Sequence, residues 1–544
     1  MYKRQGVGGE IGDSDNSSII GGTGNTVGGS DYSSIIGGVG GLIAYSDYSS
    51  IIGGDSGEIG DSDYSSIMGG FDNTVGKSQT SGIFAGFNNN VQGSESASII
   101  GGSSNYVAGS DYSSIIGGTG NTVGSSINSH ILGGFLNGVY KNSDFSVVIA
   151  GSGNIIGNGS TYSSILNGFN NYIGNSSHVY SFILGGQNNE IGSLQSIGSG
   201  IIGGDNNLIQ GSDNSTLIGG AGNTLNSADY SSILGGTGNT IQFSVRSGIF
   251  NGLNNTLNGD GGNLLIYNSN ILGGEDNTIS NAQSNSSIIG GSGNTIDGYY
   301  SGGNIRGKDN GILGGVGNDI IYVNRNAIIA GTNNLIGAES GTMNSVIAGG
   351  KDNTIFFSVG RSDGSFIGGG HSNTISGYAS DKPIISSIIG GSGNTIDDLS
   401  NVHIIGCKDV TGTTEDTVYV PNLEVNGNLH VTQQISVGSV TGGTVTTGNT
   451  FDYDCDLGMT QKLDLQGATT GATITFSNQQ EGSTYTLVVV QGSGTYDLTF
   501  PSGWWLNDTA PFDFTTLADN DRVMVTSTYL DGEWYFAVKQ LTFV

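Results

Sequence analysis

Apolar residues recur along this chain on a period of 16. The adjacent pair Ile19-Ile20 returns as Ile35-Ile36 and Ile51-Ile52. A further apolar position follows seven residues after each pair, at Val27, Ile43 and Ile59. The full unit reads S-S-I-I-G-G-x-x-N-T-V/I-x-G-S-D-Y. Indexed on the second apolar residue, it occurs 23 times between Ile20 and Ile405, first at spacings of 16 and later at spacings of 16 to 24. Short β-branched segments between Gly, Asn and Ser turns predict strands. Two such strands per unit make one coil of a flattened roll. Stacked coils then cover one another's faces and edges. The expected fold is all-β, a long parallel β-solenoid of about 23 coils of 16 or more residues.

Adjacent residues on a strand point to opposite faces. An Ile-Ile pair therefore sends one side chain into the coil and the other outward. The first column (Ile19, Ile35, Ile51) is nearly invariant, with Val148 and Leu217 as exceptions, and is assigned to the interior. The second column is looser, holding Met68, Phe84, Leu132, Phe250, Ala348 and Gly368 beside Ile20 and Ile36, and is assigned to the outside, with the reverse assignment as the alternative. Repeated over the coils it forms a continuous apolar stripe, which a soluble monomer rarely exposes. The stripe is read as a subunit interface.

Asn stands five residues after the second apolar position in 20 of the 23 copies, among them Asn25, Asn73, Asn121, Asn239 and Asn294. Asn tolerates left-handed turns, bonds turn backbone and forms stacked amide ladders. The preceding Gly-Gly pair suits a tight corner with positive φ. Of the few prolines only Pro383 falls within the repeats, inside an insertion. The extra residues of long copies, such as 258–268 and 297–308, all enter between the N-T-I strand and the next S-S-I-I strand, so one edge is expected to carry every variable loop.

Composition narrows the function classes. Glycine is 100 of 544 residues but proline only 4, which excludes collagen. The formal charge of −30 argues against general affinity for nucleic acid or anionic membrane. No apolar run approaches the roughly 18 residues of a membrane span. The opening MYKRQGVGGE has no apolar signal region, and synthesis in the cytoplasm without a signal peptide is expected. Cys407 and Cys455 form no metal or redox motif and are read as free thiols. His130, His178, His371, His403 and His430 lack metal-ligand spacing. No catalytic constellation is present, so an enzyme and a cofactor are not expected. The Asp of the G-S-D-Y turn (Asp31, Asp47, Asp63, Asp111, Asp229) is a candidate for calcium, with solvated turn Asp as the plainer reading. The neighbouring Tyr (Tyr32, Tyr48, Tyr64, Tyr112, Tyr230) predicts an exposed stacking ladder. An ice-binding solenoid would need an unbroken Thr array. The column beside the third apolar position has Thr26, Thr74, Thr122 and Thr224, but also Leu42, Glu58 and Tyr106.

Three regions are expected: a solenoid shaft over 1–410, a β-rich neck over 411–444, and a β-sandwich knob over 445–544. The knob holds all three Trp. Its strands are expected to be antiparallel, at 472–476, 484–491, 496–500, 522–529 and 534–539. Trp504, Trp505, Tyr529, Trp534 and Tyr535 are either its core or a sugar-binding platform.

The coil kernel Ser-x-x-Ile-Gly resembles the β-roll heads of trimeric autotransporter adhesins. The segments Ser483–Gln491, Phe500-Pro501-Ser502-Gly503-Trp504 and Gly532-Glu533-Trp534-Tyr535 resemble a knob of phage tail-fibre and virion-appendage proteins. That resemblance implies a homotrimeric host-attachment fibre, virion-borne or extracellular, whose partner is a cell-surface glycan or protein. The alternative is a filament or adhesin of end-to-end trimers. About 23 coils at the strand spacing give a shaft on the order of 110 Å.

Overall fold

Strand pairing reproduces the period of the sequence. In the computed structural model, Ser34–Ile36 pairs in parallel with Ser18–Thr23 on one side and Ser50–Ile52 on the other, placing Ile35 opposite Ile19 and Ile51. The second strand of each coil does the same: Leu42–Ala44 lies between Thr26–Gly28 and Glu58–Gly60. The first ladder has 25 strands and the second 24. A third line of single parallel bridges runs through the corner after Gly-Gly, from Thr23 to Val39, Asp55, Phe71 and Phe87. The fold is thus all-β, a parallel solenoid of about 24 turns, with no helix among the described residues. Those residues are 3–421, apart from 175, 262–264, 282–283, 302–303, 307, 339–343, 359, 363 and 378–379, followed by 450–454, 460–464, 472–477, 483–490, 498–505 and 522–541.

The chain divides into two compact units, Met1–Leu423 and Glu424–Val544. Winding continues past the boundary expected at 410. Thr411–Gly412 pairs with Thr395–Asp397, and Val418–Tyr419 pairs with His403–Ile405. The first part of the expected neck is therefore the last coil, and its remainder, 422–444, lies outside the described residues.

Corners keep the strands short. In the coil from Ser34 to Ser49, Gly37, Gly38, Gly40, Tyr45 and Tyr48 all have positive φ. The two Gly of the corner have different reasons. A Cβ on Gly37 meets nothing within 4 Å, whereas one on Gly38 would sit 2.7 Å from the Gly54 carbonyl of the next coil.

The interior is lined by the strict Ile column and the Val/Ile column, with Ile35 and Ile43 fully buried. The rest of the lining is polar, and only part of it is legible in the sequence. Asn25 and the rest of its column are buried. Asn25 Nδ2 donates to Gly21 O (3.4 Å) and Gly37 O (3.1 Å), while its Oδ1 accepts the Gly41 N–H (2.9 Å). Asn73 and Asn121 repeat the pattern. Along the later coils each amide also donates to the Asn before it, as Asn255 does to Asn239 (3.2 Å) and Asn294 to Asn277 (2.9 Å). Two Ser columns complete the wall. Ser30 Oγ donates to Gly28 O (3.1 Å) and accepts the Ser46 N–H (2.9 Å). Ser33 Oγ donates to Ser46 O (2.7 Å) and accepts the Ser49 N–H (3.0 Å). Side chains thus satisfy the backbone groups that the corners take out of the ladders.

His178 replaces a Ser of the first column and is fully buried. Its Nδ1 accepts the Ser196 N–H at 3.0 Å, so Nε2 carries the proton and donates to Gly174 O at 2.8 Å. Burial lowers its pKa below the usual value of 6.5. The unfolded chain therefore takes up the proton first as pH falls. The stability this neutral ring lends is complete above about pH 6.5 and declines below it. Hydrogen exchange at pH 7.5 and pH 5, corrected for intrinsic rates, should show lost protection at residues 160–196 on acidification and little change at 19–100. Equal protection of 160–196 at both pH values would contradict this.

Long copies depart from the coil where expected. Tyr299–Ser301 and Asn304–Arg306 make an antiparallel hairpin. Ser244–Val245, in a copy of regular length, pairs with the inserted strand Ile266–Tyr267, and Gly360–Ser362 pairs with Ser380–Ile384. All lie between a second-ladder strand and the next first-ladder strand.

In the second unit a three-stranded sheet (Thr450–Asp454, Ala472–Ser477, Leu498–Thr499) and a five-stranded sheet enclose Leu463, Ile474, Leu487, Val525 and Phe536. The expectation of antiparallel strands needs correction. The three-stranded sheet is entirely parallel, Thr460–Asp464 is parallel to Thr484–Val490, and Gly503–Trp505 is parallel to Glu533–Leu541. Only Thr484–Val490, Arg522–Leu530 and Glu533–Leu541 run antiparallel in turn. Successive strands up to Trp505 alternate between the sheets, so each rejoins its own sheet in the same direction. Strand propensity carries no information on direction.

Candidate functional site

The outward column of the first ladder is a long row of exposed apolar side chains. Ile20 and Ile36 are each 42% exposed and Ile116 45%. In register they form the row Ile20, Ile36, Ile52, Met68, Phe84, Ile100 and Ile116. The row continues through Leu132, Ile202, Leu234, Phe250 and Leu272 to Ile405. The corner column beside it adds exposed Val39, Phe71, Phe87, Phe135 and Phe169. Phe71 and Phe87 stack at 5.3 Å between centroids. The row alone exposes roughly 1,500 Å2, several times the apolar patch a monomer usually carries and above what one partner contributes to a standard interface. Assignment of the strict Ile column to the interior and the loose one to the outside agrees with the burial pattern of the Ile-Ile strands of the first ladder, buried then exposed.

At the opposite corner the turn tyrosines stack. Tyr32–Tyr48 and Tyr48–Tyr64 have centroids 4.9 Å apart and planes within 3°. Tyr112 and Tyr230 are exposed without such partners, because Ser96 and Asn128, or Asn214 and Arg246, occupy the turn position in adjacent coils. Rings stacked face to face present edges and hydroxyls to solvent. Burial, and then the neighbouring Tyr32 and Tyr64 and the Asp47 and Asp31 carboxylates, push the Tyr48 phenol above its usual range.

The Asp column has a use that the sequence does not reveal. Each carboxylate caps a backbone N–H of the preceding coil: Asp47 Oδ1 accepts from Asp31 (2.7 Å), Asp63 from Asp47 (2.8 Å), Asp111 from Glu95 (2.8 Å) and Asp229 from Asp213 (2.9 Å). Asp31 accepts likewise from Asp15. Among the described residues no group of three or more His, Cys, Asp or Glu is arranged to hold a metal ion. The described histidines lie in separate coils, His130 beside Ser114, His403 beside Ser387 and His371 beside Asp352. Cys407 is a buried free thiol, and Cys455 and His430 lie outside the described residues.

Of the C-terminal aromatics, Trp534 and Tyr529 pack into the core of the second unit. Trp534 is core, 7% exposed and stacked on Phe476 at 4.0 Å, with Tyr529 half-buried against it at 5.0 Å. Tyr535 follows it on the strand and so points to the other face. Trp504 pairs in register with Tyr535, and Trp505 with Phe536.

In comparison with known proteins, the chain matches no family model and no curated protein.

Proposed function

We propose that this chain is a structural fibre whose shafts associate through the outward Ile stripe. The reading that fits best is a homotrimeric attachment appendage of the phage tail-fibre kind, acting outside the cell or on a virion and binding a cell-surface glycan or protein. The observation that carries it is the stripe itself, since an apolar row that runs along a roughly 115 Å shaft with few interruptions calls for a partner of matching length and repeat. A second copy of the same chain has both. Closed rotational assemblies are the usual outcome for such contacts.

Mass measurement in solution tests the association directly. The expected value is about 166 kDa, three times the 55.4 kDa of one chain. The double variant Ile100→Asp, Ile116→Asp should release monomers. Both side chains are already exposed in the single chain, so its far-UV circular dichroism should be unchanged. A wild-type monomer, or a double variant of unchanged mass, would sink the stripe argument. Electron microscopy separates discrete fibres from the alternative of continuous filaments.

A further inference from the structure

Two adjoining cavities open on the outward face of the second ladder, where the coil first departs from 16 residues. Spacing rises to 17 between Leu132 and Ile149 and again to Leu166, then to 18 up to Leu184 and Ile202. Over these coils the second-ladder strands shorten from three residues to two, at Ile155–Ile156, Tyr172–Ile173 and Glu190–Ile191. The first cavity, about 340 Å3, lies between Tyr140 and Tyr172, with Ile155, Gly157, Lys141 and Asn158 around it. The second, about 280 Å3, shares Ile155 and Tyr172 and is edged by Asn170, Asn188 and Glu190.

Glycine lets the two rings lie along the sheet. The Tyr140 ring fills the space that a Cβ on Gly138 would need, and the Tyr172 ring does the same over Gly174. The rings belong to coils two apart, with Ile155 in the coil between them, since Gly138 pairs with Ile155 and Ile155 with Tyr172. Two strand spacings put them roughly 9–10 Å apart along the axis. Amides supply the polar edge: Asn158 Nδ2 reaches Tyr172 Oη at 3.4 Å, and Asn170 Nδ2 donates to Asn188 Oδ1 at 2.9 Å.

This is the chemistry of a sugar cleft. Apolar faces of pyranose rings seat on aromatic and aliphatic side chains, while hydroxyls bond to amides at the edge. Lys141 in one cavity is offset by Glu190 in the other, and the chain as a whole carries −30, so an anionic glycan is disfavoured. The cleft lies on the second ladder and the stripe on the first, so association of shafts through the stripe leaves the cleft open.

We infer that the cleft between Tyr140 and Tyr172 binds a neutral oligosaccharide and is the recognition site of the fibre, an inference that rests on the attachment reading above. Full-length protein is to be tested on immobilised maltotriose, cellotriose and tri-N-acetylchitotriose. Wild type should bind at least one of them. Tyr140→Ala and Tyr172→Ala should each weaken that binding by about tenfold or more, while the distant Tyr230→Ala keeps it. Circular dichroism confirms that each variant is folded. Binding to none of the three sugars, or binding indifferent to both Ala variants, overturns the inference. Attachment to a panel of bacterial cells, scored in parallel, keeps the two ideas separable. Attachment that survives both Ala variants removes the cleft and leaves the fibre. Sugar binding without any attachment removes the fibre reading and leaves the cleft.

Discussion

Asn294→Leu should destabilise its region of the shaft by roughly 2–6 kcal/mol, because it strands two backbone polar groups at about 1–3 kcal/mol each. Asn294 is fully buried. Its Oδ1 accepts both the N–H and the Nδ2 of Asn318, each at 3.0 Å. Its Nδ2 donates to Asn277 Oδ1 (2.9 Å), Gly290 O (3.4 Å) and Gly315 O (3.1 Å). Leu has similar volume and fills the space, but it strands the Asn318 N–H and takes the amide donor from the Gly290 carbonyl, whereas the Gly315 carbonyl keeps the Ser292 N–H at 2.9 Å. Volume is therefore not the issue; the loss of hydrogen bonding is. A solenoid of many coils does not unfold as a single two-state unit, so hydrogen exchange is the proper measurement. Protection should fall at residues 288–320 and hold at 19–116. Unchanged exchange at 288–320 would show that the Asn ladder is an ornament of the corner and not its support.

Gly118→Ala should cost roughly 2–5 kcal/mol, combining a left-handed Cβ of about 1–2 kcal/mol with overpacking of about 1–3 kcal/mol. Gly117→Ala should cost only the first of these. Both residues have positive φ, +69° at Gly117 and +80° at Gly118. A Cβ on Gly117 meets nothing within 4 Å, whereas one on Gly118 collides with Gly134 O of the next coil and with Asn121 Nδ2. The chain contains its own control. The Gly117 column already holds Ala85, Ala150 and Ala330 at φ of 57° to 62°. The Gly118 column is glycine in every coil from Gly22 to Gly391 and departs only at Cys407. Hydrogen exchange over residues 100–137 should separate the two variants. Equal effects would place the whole cost in backbone conformation and none in the approach of successive coils.

The parts of the fold that were legible are those in which one residue type has one physical use. Adjacent Ile on a strand must face opposite ways, so the strictness of Ile19 and Ile35 against the drift of Ile20 and Met68 separated inside from outside. The Asn column announced itself because few residues combine a left-handed turn with amide bonding. Serine has no such signature. Ser30 and Ser33 read as turn residues, although they line the interior and carry the axial hydrogen bonds beside it. Their signal was regularity, since solvent-facing serines have no reason to recur at Ser46, Ser49, Ser62 and Ser65. Asp47 was ambiguous for the same cause: a carboxylate capping a backbone N–H and one awaiting a cation look alike in a sequence. Strand direction in the C-terminal unit was out of reach, because it depends on the alternation of strands between two sheets. Trp534 and Tyr535 were grouped as neighbours in sequence, and the pleat sends them to opposite faces. The Tyr140–Tyr172 cleft went unseen because its residues stand 32 positions apart and meet only through the register of coils longer than 16.

The loose outward column has one more consequence. A row of identical Ile residues has near-perfect translational symmetry along the shaft, so a partner lying against it could be displaced by one coil at little cost. The departures from Ile break that symmetry. Phe84 and Phe250 are bumps, while Ala348 and Gly368 leave notches. None of these recurs at a constant interval, so no shift by a whole number of coils superimposes all of them. In the proposed association, what reads as sequence drift in a single chain would act as a vernier, giving two long, self-similar surfaces one alignment in place of many.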